Sequence, residues 1–259
     1  MRIFVVGGTG VVGRPLVSTL VTLGHEVTAS TRRTEHVSVL HRLGARPAVM
    51  DGLDERTVHE AVLEAKPEVI VNQVTSLSGS SRDYGAWLAV TNRLRSEGTE
   101  FLIAAAREAG TRRMVAQSAS FMTHPVGSGP TDESSPLYLD APEPLGSHFN
   151  ANHEAESMVV STPGIEGFVL RYGFLYGNGT AIGQGGDLAR AIKAGDVPIV
   201  GRGAGRYSFI HVRDAVGASV QAVHGGAPGV YNCWTTLVQI IKESRSEPIS
   251  ASTAEAAAA

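Results

Sequence analysis

Ile3-Phe4-Val5-Val6-Gly7-Gly8-Thr9-Gly10-Val11-Val12-Gly13 stands at the start of the chain, and its reading decides the fold. The four apolar residues read as a buried strand, the glycines as a tight loop, and the run to about residue 22 as a helix. A dinucleotide pyrophosphate needs this order. One glycine makes the turn, one lets the backbone approach phosphate oxygens, and one packs helix against strand. The helix N-terminus then offers unpaired N–H groups and a positive dipole end to the anion. Gly7, Thr9, Gly10, Val11, Val12 and Gly13 are therefore the first cofactor candidates, and Gly24 leads into a second strand at the expected distance.

Outward from this loop, strand and helix patterns alternate. Strand-like runs occupy 2–6, 26–30, 46–50, 68–72, 113–117 and 166–170. Helical patterns lie near 11–22, 34–43, 54–65, 84–109 and 148–161, the long one interrupted at Gly98. Alternation of this kind predicts an α/β, Rossmann-type, doubly wound parallel sheet covered on both faces. Residues 123–147 carry five prolines and read as a loop over the carboxyl edge of the sheet, where open α/β sheets bind ligands. Gly-rich stretches at 177–186 and 201–205 suggest a small substrate-binding lobe. The expected division is 1–172 for the nucleotide domain, 173–250 for a lobe interleaved with it, and 251–259 for a tail without a core pattern.

The 259 residues suffice for one substantial core, and the net charge of −3 offers no basic field for nucleic acid. Cys233 is alone, which excludes a disulfide framework and points to a reducing compartment. The histidines show no metal-ligand spacing. No apolar run approaches the roughly 20 residues of a membrane span, and the first strand begins at Met1-Arg2 without a leader pattern. The expectation is a cytoplasmic protein with a small-molecule partner.

Four ordered segments resemble the extended short-chain dehydrogenase/reductases over roughly 1–232. Gly7 to Gly13 matches the nucleotide fingerprint, and Met50-Asp51-Gly52-Leu53-Asp54 resembles the adenine-contacting segment. Leu170 to Gly177 resembles the segment after strand six, with Tyr172 where a proline usually stands. Arg206 to Asp214 resembles the late strand–helix junction. The resemblance implies cofactor contacts from Asp51 and Gly52, from Gln73 and Val74 after strand four, and from Asn152, Tyr172 and Phe174.

The departures concern chemistry. The family's proton donor is a tyrosine followed four residues later by a lysine that lowers its pKa and holds the nicotinamide ribose. Here those positions carry His148 and Asn152, and no lysine lies between Lys66 and Lys193. The usual serine falls on Ala119, flanked by Ser118 and Ser120. Where the long helix should carry asparagine, three residues before Gly98-Thr99, stands Arg95.

Strand two ends at Thr31-Arg32-Arg33, with no acid to bond an adenosine ribose and repel a 2′-phosphate. A guanidinium grips phosphate bidentately and stays charged, so Arg32, with Arg33 beside it, predicts NADP(H).

Hydride transfer to a ketone leaves an alkoxide that needs a proton. Three sources are open: His148, roughly a quarter protonated at pH 7 if its pKa is ordinary; Tyr172 or Ser118 from the opposite wall; or a phenol on the substrate. The third fits atypical reductases of the family that act on aromatic polyketides of the angucyclinone kind. Ser120, Phe121, Met122, Phe149 and Leu175 would furnish an apolar cleft for such a flat ketone. Glu154 and Glu156 read as a solvated helix face. The competing readings are a non-catalytic NADP(H) sensor, which would also lack the tyrosine–lysine pair, and a sugar-nucleotide epimerase or dehydratase, which would need a base.

Overall fold

The structure, a computed structural model, describes residues 1–76, 84–124, 131–198 and 207–234. The glycines at 201–205, Arg206, Lys242 and the tail at 251–259 lie outside the described residues.

Among the described residues, seven strands form one parallel sheet. β1 (Arg2–Val6), β2 (Glu26–Thr31) and β3 (Arg46–Val49) build one wing, and β4 (Val69–Asn72), β5 (Arg113–Ala119), β6 (Glu166–Tyr172) and β9 (Gly229–Cys233) the other. Their spatial order is β3-β2-β1-β4-β5-β6-β9. The order reverses between β1 and β4, which opens a crevice at their carboxyl ends. The Rossmann-type doubly wound sheet is the fold of this chain.

Helices cover both faces: α1 (Gly13–Thr22), α2 (Val37–Arg42) and α8 (Val212–His224) on one, α3 (Glu55–Ala65), α5 (Glu97–Glu108) and α6 (Leu145–Ser161) on the other. Strand alternation feeds both layers: Ile3 and Val5 join the α1–α8 core, whereas Phe4 and Val6 join the α3–α5–α6 core. Burial on two faces is why β1 reads as a continuous apolar run rather than an alternating one. No helix among the described residues is long and apolar enough to cross a membrane.

The long helix divides into α4 (Tyr84–Arg95) and α5 at Ser96 rather than at Gly98. Gly98 lies inside α5 for a packing reason: a Cβ there would sit 2.9 Å from the Gly52 carbonyl oxygen. Beyond β6, β7 (Phe174–Tyr176) and β8 (Phe209–His211) form a two-stranded parallel sheet, and α7 (Asp187–Ala194) lies between them in sequence. α8 and β9 return to the main sheet, so the region after residue 172 contributes to both parts. In the proline-rich loop, Leu137, Tyr138, Leu139 and Ala141 pack with Met122 and Phe149, fastening the loop to the ends of β5 and α6.

Candidate functional site

The glycine loop joins β1 to α1 at the crevice. Gly7 has φ +78°, a conformation that side chains with a Cβ rarely adopt. Its N–H donates to Ser30 Oγ at 3.0 Å, and the Gly8 N–H donates to the Ser30 carbonyl at 3.0 Å, which ties the loop to β2. A Cβ on Gly13 would fall 2.1 Å from the Gly7 carbonyl oxygen, so only glycine lets α1 start this close to the strand. Gly10 and Val11 are exposed at the tip, Val12 is buried, and Arg14 Nε donates to the Thr9 carbonyl at 2.9 Å. The loop thus presents its exposed Gly10–Val11 tip at the start of α1, which fits a pyrophosphate.

At the end of β2, Thr31 is buried and its hydroxyl accepts from the Arg33 N–H at 3.2 Å. Arg32 and Arg33 are exposed, and neither guanidinium is in an ion pair among the described residues. Asp51 accepts from the Leu53 N–H at 3.0 Å through one carboxylate oxygen, leaving the other for a ligand. The Gln73 N–H donates to Val6 at 3.0 Å, and the backbone of Gln73 and Val74 runs beside Gly7.

Two expected cofactor contacts are redirected. The Gln73 side chain turns inward, its amide donating to the Tyr172 phenol at 3.3 Å. Tyr172 is buried in the α1–α8 core, with its oxygen 2.7 Å from Ser219 Oγ. Burial pushes its pKa up to about 12, so it neither faces the cleft nor supplies a proton near neutrality.

His148 sits on the buried face of α6. Its Nδ1 lies 2.7 Å from Asn92 Oδ1 on α4, and its Nε2 lies 3.2 Å from Asn152 Nδ2 one turn along α6. Asn152 Nδ2 also donates to the His148 carbonyl at 2.8 Å, which orients that amide. The network assigns the proton to Nδ1 and the lone pair to Nε2. Burial, aided by the Arg95 charge, lowers the His148 pKa to about 4. Only about one imidazole in a thousand is then charged at pH 7, not a quarter. His148 thus stands as a neutral imidazole with both ring nitrogens engaged.

Other polar atoms in this region are unpartnered. Ser118 Oγ, Ser120 Oγ and Asn152 Oδ1 are buried without a hydrogen bond. The last of these can accept from a ribose hydroxyl, the reverse of the bond that a lysine would donate at this position. Glu156 is not on a solvated face: it is buried and holds the Arg171 guanidinium through two bonds, at 2.8 and 2.6 Å. Arg171 on β6 could not be paired with it from sequence alone; Glu154 does lie exposed.

Above the polar floor stands an aromatic wall. Phe121 stacks on Phe174 at 4.6 Å and 10°, and meets Phe149 edge-on at 6.4 Å. Tyr207 closes on Phe174 at 5.8 Å. Phe121 is 38 % exposed, so part of it is available to a ligand. Met122 is fully buried and supports the wall, and Leu175 packs on the α1–α8 core. Phe174 therefore belongs with the wall. Asn92 and Arg95 were missed as site residues, although both lie on one face of α4, three residues apart.

The 3-diazoavenalumate denitrifying reductase of a Streptomyces species is 45 % identical over 230 residues, 88 % of this chain and 74 % of that protein. A 4-hydroxy-2-methyl-3-oxo-4-farnesyl-3,4-dihydroquinoline-1-oxide ketoreductase of Stigmatella aurantiaca is 33 % identical over 68 % of this chain and 51 % of its own length. Among solved structures, UDP-glucose 4-epimerase of Thermotoga maritima superposes with TM-score 0.77 at 22 % identity, covering 95 % of this chain and 82 % of that one. The Streptomyces venezuelae dTDP-glucose 4,6-dehydratase DesIV, solved with NAD, gives TM-score 0.76 at 22 % identity over 94 % and 78 % of the two chains. Residues 3–233 match the NAD dependent epimerase/dehydratase family, and the chain belongs to it.

Proposed function

We propose that this chain is an NADPH-dependent reductase that acts on an aromatic substrate without a protein-borne acid. The observation that carries the reading is His148, whose two ring nitrogens are occupied by the amides of Asn92 and Asn152. Gly7 to Gly13 would hold the pyrophosphate, Arg32 and Arg33 the 2′-phosphate, and Asn152 Oδ1 a ribose hydroxyl. The reduced nicotinamide supplies a hydride, which a diazonium carbon accepts as dinitrogen leaves, and which a carbonyl carbon accepts with a proton following to its oxygen. Phe121 and Phe174 would orient a flat ring, and the packed loop around Met122 and Phe149 would exclude water.

The first of these electrophiles needs no acid. The 45 % identical relative, named for reduction with loss of diazo nitrogen, supports a diazo-substituted aromatic acid as substrate. The second reading is a ketone beside a phenol that supplies its own proton, such as an angucyclinone. The ketoreductase relative supports it; the resemblance to the angucyclinone ketoreductase of simocyclinone biosynthesis is a reading of the sequence alone. NADPH oxidation is measured against a diazo-substituted aromatic acid, with dinitrogen release, and against hydroxyaryl ketones. Turnover of the diazo acid is expected. Ketone turnover alone would favour the second reading, and no turnover of either would favour a nucleotide sensor.

A further inference from the structure

Arg95 ends α4 with its side chain inside the protein, 7 % exposed. One terminal nitrogen donates to the Gln117 carbonyl of β5, and Nε has no partner. The buried carboxylate whose charge acts on it, Glu156, is already held by two nitrogens of Arg171. Glu156 thus compensates Arg171, and Arg95 keeps its positive charge without an ion pair among the described residues. Burial lowers the Arg95 pKa to about 10, which still leaves it ionised at neutral pH. A desolvated cation with so few hydrogen bonds is costly unless something anionic completes it. The hydroxyls of Ser118 and Ser120, which follow the Gln117 carbonyl that Arg95 holds, are also buried and unpartnered.

We propose that Arg95 is a positioning residue whose buried, incompletely bonded guanidinium selects an ionised aromatic acid for the cleft beside His148. The charged groups on the elements packed around His148 support this assignment. Arg95 comes from α4, and the Glu156–Arg171 pair, from α6 and β6, is internally compensated. Arg93 is engaged with Glu97 at the surface, and the Arg113–Glu166 pair lies at the opposite edge of the sheet. Arg95 is the one uncompensated charge among these. An anion entering the low-dielectric cleft gains attraction to it that a neutral ester of the same shape does not.

The inference rests on the reading of an acid-free site for aromatic substrates, but its test does not require turnover. The full chain is titrated by NMR at His148, and its affinity for cinnamate and for methyl cinnamate is measured by calorimetry. The wild type is expected to bind the acid more tightly than the ester. Arg95→Asn, the residue type that the family resemblance implies at this place, should cut that preference about tenfold and raise the His148 titration midpoint. Arg95→Lys should restore both, since it keeps the charge. If Arg95→Asn does not fold, Arg95→Met replaces it, and Arg95→Lys remains the control. A wild type without acid preference, or a neutral variant with unchanged preference and unchanged His148 titration, would overturn the proposal. Failure of every reduction assay with these binding results intact would overturn only the reductase reading.

Discussion

The Asn92 side-chain oxygen lies 2.7 Å from His148 Nδ1, across 56 residues of sequence, and occupies the nitrogen that an acid would use. Asn152 closes the ring from the other side, at 3.2 Å. This arrangement favours the neutral form, since Asn92 Oδ1 accepts the Nδ1 proton while Asn152 Nδ2 would have to turn over before Nε2 could carry a second one.

His148→Phe is therefore expected to retain its rate within a few-fold of wild type on any accepted substrate, once normalised to folded protein. Loss of a working general acid would cost 10²-fold or more. Stability should fall by about 1–3 kcal/mol, because the Asn92 and Asn152 amides lose their partner. Single-turnover kinetics beside thermal unfolding separates the two effects, and a folded but inactive variant would restore His148 as the acid.

The same imidazole makes stability depend on pH. Its folded pKa of about 4 lies below the ordinary 6.5, so between these values the unfolded chain binds the proton more readily. Its contribution is fully present above pH 6.5, declines as pH falls toward 4, and amounts to about 3 kcal/mol. Urea unfolding of wild type and His148→Phe across this range should show a steeper acid loss in the wild type. Parallel curves would contradict the neutral assignment.

Arg32 and Arg33 project from the end of β2 beside a buried Thr31 that offers no carboxylate. NADPH is expected to bind more tightly than NADH, and Arg32→Asp to shrink or reverse the preference. Equal wild-type affinities measured by calorimetry would remove the basis for this assignment.

Gly10 and Gly13 should fail differently. A Cβ on Gly10 meets only the Gly7 carbonyl, at 3.2 Å, so Gly10→Val is expected to cost less stability than Gly13→Ala while abolishing dinucleotide binding. Gly13→Ala places its Cβ 2.1 Å from the same oxygen, so it should depress both binding and stability. If Gly10→Val binds NADPH like the wild type, the loop is a turn and not a phosphate site.

The parallel sheet, the glycine loop and the six strands through β6 were legible in the sequence because each is a local pattern. Period and apolar run length mark β1 through β6, and the spacing of Gly7, Gly10 and Gly13 marks the turn into α1. β9 escaped notice because Gly229–Cys233 is short and only partly buried, and its pairing with β6 is made in space. The absence of the tyrosine–lysine pair was equally plain, since it is a matter of which residues occur. What replaced the pair was decided only by tertiary structure. The protonation of His148 depends on Asn92 and Arg95 from another helix, the burial of Glu156 on Arg171 of β6, and the direction of Tyr172 on Ser219 of α8. A pKa and a buried charge balance are sums over neighbours in space, and residue order alone does not specify those neighbours.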